Sequence, residues 1–109
     1  MIVAISLHEG KIPAHFADTT EFMLYQINKG ALEKERLRKV GAQPGSELIR
    51  VLMDDGVDVL VAGGMGRDAT QRVLDAGIML YPNCTGTAKE ALDLLQQHKL
   101  KQMKETPAE

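Results

Sequence analysis

The stretch Val57-Asp58-Val59-Leu60-Val61-Ala62-Gly63-Gly64-Met65-Gly66 decides how this chain folds. An apolar run rich in β-branched residues that stops abruptly at glycines reads as a buried strand delivering a flexible loop. A helix starting at Arg67 or Asp68 would point its unpaired first-turn N–H groups at that loop, and the glycines would allow close backbone approach to a ligand there. On this reading Gly64 or Gly66 takes positive φ to aim backbone amides at a crevice. A plain strand-to-helix turn with no ligand uses the same residues.

The same unit occurs twice. Arg50 to Gly56 followed by Val57 to Ala62 parallels Arg72 to Gly77 followed by Ile78 to Tyr81, each a helix end, a glycine and an apolar strand. Leu48, Ile49, Leu52 and Met53 share one helical face, as do Ala69, Val73 and Ala76. Gly56 and Gly77 stand where a C-terminal cap needs a left-handed residue. A third helix opens with the capping box Thr87-Ala88-Lys89-Glu90 and buries Ala88, Ala91, Leu92 and Leu95. Met23, Met53 and Met79 are spaced as core fillers.

Upstream, Ile2 to Leu7 reads as a central strand and Glu21 to Ile27 as a second. Asn28-Lys29-Gly30 carries hairpin turn chemistry, so Ala31 to Val40 returns as a third strand despite residues that favour helix. Its charges suit an exposed sheet edge, where they discourage edge-to-edge pairing. Right-handed crossovers then predict an α/β domain with a five-stranded mixed sheet of order 3-2-1-4-5, strand 2 antiparallel, and helices on both faces. Residues 1–98 form that single domain, and the polar residues 99–109 are expected to be a flexible tail.

Composition removes several functions. At 109 residues the chain is long enough for one core without metal or disulfide support. A net charge of −2, with two Phe and two Tyr, supplies neither the basic excess nor the stacking surface that nucleic acid requires. A single cysteine excludes an intrachain disulfide and points to a reducing compartment. Lacking a leader or a membrane-length apolar run, the chain is expected to be cytoplasmic, with no membrane partner.

In open α/β sheets ligands bind beyond the carboxyl ends of the parallel strands, here between strands 1 and 4. Three loops are predicted to converge there: His8 to His15, Gly63 to Gly66, and Pro82 to Thr87. They carry His8, His15 and Cys84, ligand types suited to iron, copper, zinc or iron-sulfur clusters. Each also has a structural reading, His15 as a hydrogen-bonded loop residue and Cys84 as a small buried hydrophobe. Met65 can contribute a thioether or simple packing. His98 reads as a solvated residue at a helix end.

Taken in order, His15-Phe16 ahead of a strand, Gly56 to Gly66, Ala76-Gly77-Ile78, and Gly86-Thr87 opening a helix resemble the dinitrogenase iron-molybdenum cofactor biosynthesis family over roughly Met1 to Leu100. The resemblance implies a ribonuclease H-like three-layer fold and binding of an iron-sulfur cluster or iron-molybdenum cofactor precursor. By matching position it implies His15, the loop Gly63, Gly64, Met65 and Gly66, and the helix start Gly86 and Thr87. Two departures stand out. Ala17 follows the His-Phe pair where many relatives have glycine, and Gly41 to Gly45 replaces the histidine-rich loop that many carry.

Enzymatic readings lack their residues. Two-metal nucleases need clustered carboxylates on central strands, and the first strand has none. Asp58 enters its strand at the end away from the crevice, and no nucleophile elbow is present. The sequence therefore reads as a non-catalytic carrier or accessory protein holding a metal cluster, with His15 and Cys84 as first candidate ligands and His8 third, the site open or shared across a homodimer, and a cofactor-recipient protein as partner. Two alternatives stay open: a binder of a phosphorylated small molecule at the glycine loop and the Thr87 helix start, and a protein-interaction domain without ligand.

Overall fold

A computed structural model describes residues 1–106. Alternation of side chains on the strands builds two cores, one on each face of the sheet. In β1 (Ile2–Leu7), Val3, Ile5 and Leu7 face one way and Ala4 and Ser6 the other, and nearly all are buried. Such double burial marks a central strand. β2 (Glu21–Asn28) pairs antiparallel with β1, and β3 (Ala31–Lys39) pairs antiparallel with β2. Lys29 and Gly30 at the hairpin both take positive φ, 53° and 81°, so the two-residue turn matches the twist of the flanking strands. The third segment is thus a strand, its helix-favouring residues overridden by the turn before it.

α1 (Gly45–Asp54) leads to β4 (Val59–Val61), α2 (Arg67–Asp75) to β5 (Met79–Tyr81), and α3 (Ala88–Gln96) ends the regular structure. β4 pairs parallel with β1 and β5 parallel with β4, which gives the order β3-β2-β1-β4-β5. Gly56 and Gly77, with φ of 68° and 80°, end α1 and α2 in the left-handed conformation. The paired part of β4 is shorter than the run Val57 to Ala62. The amide of Val57 still serves α1 through Leu52 O, at 3.0 Å, while Asp58 N and Ala62 N bond to Ile2 and Tyr81 beyond the regular ladder.

Leu48, Ile49 and Leu52 of α1 and Val73 of α2 pack with Ala4, Phe22, Leu24, Leu60 and Leu80 on one face. Ala88, Ala91 and Leu92 of α3 cover Val3, Ile5, Tyr25, Ile27, Val59 and Val61 on the other. Each fully buried large aliphatic contributes on the order of 1.5–3 kcal/mol, so both layers are needed.

Several expected core positions are corrected. Met53 is 58% exposed and Met79 39% exposed. Met53 lies on the solvent side of α1's last turn, and Met79 alternates with buried Leu80. Ala76 is exposed as the C-cap of α2, and Thr70 is buried on that helix instead, its hydroxyl donating to Gly66 O at 2.9 Å. That local bond is what lets a polar residue sit inside. Of the segment 99–109, residues 107–109 lie outside the described residues. Within 99–106, Met103 N donates to Leu80 O at 2.8 Å and its side chain packs against the α1/α2 core.

Candidate functional site

Backbone hydrogen bonds sew the three predicted loops together. His8 and Lys11 exchange bonds of 2.8 and 3.2 Å, and Ile12 N donates to Gly86 O at 2.8 Å. Gly64 N donates to Ala14 O at 2.7 Å, and Phe16 N returns a bond to Gly64 O at 2.7 Å. The third loop joins through Asn83 N to Gly63 O, at 3.0 Å, and Cys84 N to Ala62 O, at 2.9 Å. The seam explains the glycines. A Cβ on Gly63 would lie 2.0 Å from Pro13 O, and one on Gly64 would lie 3.0 Å from Ala14 O.

Positive φ plays no part at Gly64 or Gly66, a correction to the sequence expectation: neither adopts it, and Gly66 is the N-cap of α2 at φ −65° with open space at its Cβ position. The first two glycines admit another stretch of the same chain, and the third opens a helix.

Beside this seam lies an open crevice of about 820 Å³, whose walls include His15, Ser46, Ile49, Gly64, Met65 and Arg72. Two helices begin at it. α1 starts from Pro44 and α2 from Gly66, and neither N-cap offers a side-chain hydrogen bond. Proline and glycine have no capping oxygen, so no side chain closes either start; Glu47 N turns back to Pro44 O at 3.0 Å, and the positive ends of both helix dipoles lie at the crevice. Glu47 and Asp68 put carboxylates in those first turns, and Asp68 is neutralised by Arg72 at 3.1 Å. The start of α1, with Ser46, and the cation Arg72 were not singled out from the sequence. The signals were a Pro-Gly pair immediately before an amphipathic helix and an Asp-Arg pair four residues apart after the glycine loop.

α3 begins differently. Thr87 Oγ1 accepts from Glu90 N at 3.2 Å, and Glu90 Oε1 accepts from Thr87 N at 3.0 Å, the full reciprocal box. These bonds, chiefly, hold the Glu90 carboxyl below the ordinary carboxylate range. Gly86 is in the left-handed region at φ 96°, and its open side faces Glu90. Gly86 and Thr87 lie outside the walls of the crevice.

The three candidate metal ligands are dispersed. His15 is exposed at the crevice. His8 turns instead to Thr20 Oγ1 at 3.1 Å, with Glu9 Oε1 3.8 Å from its other ring nitrogen. Cys84 is part-buried on the α3 side, its Sγ 3.4 Å from Tyr81 O and 3.5 Å from Pro82 O, and burial pushes its thiol above the usual range. Among the described residues no three His, Cys, Asp or Glu side chains are grouped to hold a metal ion. Met65 is half-buried on the crevice wall and packs against the α1/α2 core. No helix among the described residues is long and apolar enough to cross a membrane.

A small mixed sheet with helices on both faces and a crevice beyond its parallel strands defines a three-layer α/β domain. The family model "Dinitrogenase iron-molybdenum cofactor" matches residues 1–98, and the chain belongs to that family. Members of that family are accessory or carrier proteins in cofactor handling. Among solved structures, the apo form of the orange protein from Desulfovibrio gigas is 19% identical, covers 98% of this chain and 96% of its own, and has a TM-score of 0.79. A candidate NifB protein from Thermotoga is 25% identical with a TM-score of 0.76, covering 99% of this chain and 97% of its own. A candidate dinitrogenase from Methanocaldococcus jannaschii is 16% identical with a TM-score of 0.77, covering 96% of each chain. No curated protein sequence matches the chain.

Proposed function

We propose that this protein is a non-catalytic carrier that holds a preformed, anionic metal-sulfur cofactor or precursor in the crevice between the starts of α1 and α2. The observation that carries this reading is the pair of uncapped helix N-termini at one open crevice, beside a third helix that caps itself. A bare divalent ion needs three or four protein ligands, and the crevice wall offers one imidazole, His15, and one carboxylate, Asp68, which pairs with Arg72. A cluster that arrives with its own sulfur ligands needs charge complementarity and hydrogen-bond donors instead, which uncapped amides supply. His15 would add a single exchangeable contact and Met65 an apolar wall. Such a site releases its cargo readily, as a carrier must.

Cys84 fits this scheme as a packing residue, since it is part-buried on the α3 side and does not line the crevice. A phosphorylated small molecule would compete for the same amides, but only at α1 and α2, because Glu90 already occupies the start of α3. Anaerobic equilibrium dialysis against tetrathiomolybdate, with inorganic phosphate as a second arm, separates the two. Retention of the sulfide complex that resists excess phosphate, and that weakens in His15→Ala, supports the carrier. Phosphate binding with no retention of the sulfide complex replaces it with the phosphate reading.

A further inference from the structure

The sheet has two edges, and they are treated differently. β5 is three residues long and its outer side is bridged by Met103 at Leu80. β3 is nine residues long, about 30 Å at roughly 3.3 Å per residue, and hydrogen-bonds to β2 alone at the end of the sheet. Every β3 residue except Arg38 is exposed. An edge of that length presents a row of backbone donors and acceptors able to receive another strand.

The register shows which groups point outward. Met1 and Ile27 exchange backbone bonds, 3.1 Å from the terminal amine and 2.8 Å from Ile27 N, so odd-numbered residues of β2 turn their amides toward β1. Phe22, Leu24 and Gln26 then face β3, and their partners Arg38, Arg36 and Lys34 turn their amides inward. Alternation leaves Glu35, Leu37 and Lys39 with backbone groups directed away from the sheet.

Side chains sort equally cleanly. Lys34, Arg36 and Arg38 lie on one face, opposite Gln26, Leu24 and Phe22. Asp55 is the acidic partner of this row, 3.1 Å from Arg38 and 4.0 Å from Arg36. On the other face stand Leu32 and Leu37, 47% and 41% exposed, with Glu35 between them.

A second copy of this chain does not satisfy that edge. Directly opposed residues in an antiparallel pair share a face, so any two-fold pairing over the basic row sets Arg36 against Arg36, Lys34 against Arg38, or another cation pair from the row. Nucleic acid is disfavoured by the absence of aromatic side chains on β3 and by Glu33 and Glu35 within it. We propose that the outer edge of β3 is a docking strand for an extended protein segment in which acidic and apolar side chains alternate. Its acidic residues lie along Lys34, Arg36 and Arg38, its apolar residues cover Leu32 and Leu37, and the main chains pair through Glu35, Leu37 and Lys39. The same charges that repel another copy select this partner.

Titrating the isotope-labelled full chain with the peptide Val-Glu-Val-Glu-Val-Glu-Val, monitored by amide NMR shifts, tests this. Three controls run beside it: the lysine analogue, a block-sequence isomer with all glutamates together, and oligothymidylate. Expected are shifts concentrated on β3, and affinity that falls by roughly tenfold in Lys34→Glu/Arg36→Glu, variants that leave the Arg38–Asp55 pair intact. Leu37→Pro, which removes an outward N–H but no charge, is expected to abolish binding while the fold persists, as edge strands accept proline. Equal binding of the block isomer, the lysine analogue or oligothymidylate overturns the proposal. So does unchanged binding in Leu37→Pro, or absence of shifts on β3.

Discussion

Two helices in this chain open from glycine-containing turns, Gly66 at the N-cap of α2 and Gly86 one residue before the N-cap of α3, and the comparison between them separates structure from function. At Gly86-Thr87 the helix start is closed by its own side chains, with Thr87 and Glu90 satisfying each other's backbone amides. At Gly66 no side chain caps the helix, on the wall of a crevice that also receives the start of α1, likewise without a side-chain cap. Moving the glycine by one position, so that threonine rather than glycine stands at the N-cap, therefore has opposite consequences. A helix end completed from within contributes stability, and one left incomplete beside a cavity is free to contribute binding.

The strongest way to break that comparison is to attack the seam between them. Gly63→Ala would force a Cβ to within 2.0 Å of Pro13 O, backbone that cannot swing aside, and is expected to cost about 3 kcal/mol, the upper end of ordinary overpacking. Urea denaturation measures it. A loss below about 1 kcal/mol would show that the seam yields and that the loops are not fused as described.

Next in size is the closed start. Thr87→Ala is expected to cost about 1 kcal/mol of stability by thermal or urea unfolding and to leave retention of tetrathiomolybdate unchanged. Reduced retention would move the binding region toward α3 and undo the distinction.

The open start gives a smaller and opposite response. Gly66→Asp supplies the missing cap and should stabilise the fold by a few tenths of a kcal/mol, while its carboxylate repels anionic cargo. Greater stability together with weaker retention is the signature of a helix end reserved for a ligand. Equal retention would mark the open start as a mere sequence accident.

The pH responses are subtler. Because the folded state holds the Glu90 carboxyl below its ordinary range, the box's contribution is complete above the unfolded value and is lost as pH falls through the lowered folded one. Thr87→Ala should flatten that acid slope. The thiol of Cys84 runs the other way: its folded value is raised, so its contribution is complete below the unfolded thiol value and fades as pH rises through that range, a slope that Cys84→Ala removes. Acid and alkaline unfolding series on the two variants check both.

Much of the fold was legible because local signals agreed. The Lys29-Gly30 turn fixed β3 as a strand against its own helical propensity, and the repeated helix-glycine-strand units fixed the parallel pairs. Met53 and Met79 were misplaced because flexible apolar side chains carry little directional information where a helix ends or an edge strand alternates. The meeting of the three loops was readable from strand polarity alone. Which way their side chains turn was not. His15 opens toward α1 and α2, Cys84 toward α3, and His8 toward Thr20, because the sheet stands between the two helical layers. Sequence places residues at a sheet edge, whereas ligation needs them on one side of it.

Calorimetric titration of the protein with tetrathiomolybdate and, separately, with zinc ion under anaerobic conditions bears most directly on the central claim that the crevice accepts a complete anionic cluster rather than building a ligand set around a bare metal. The expected result is binding of the sulfide complex that is weakened by Gly66→Asp and indifferent to Cys84→Ala, with no comparable site for zinc. Tight zinc binding that disappears in both His15→Ala and Cys84→Ala, alongside no binding of the sulfide complex, would contradict it.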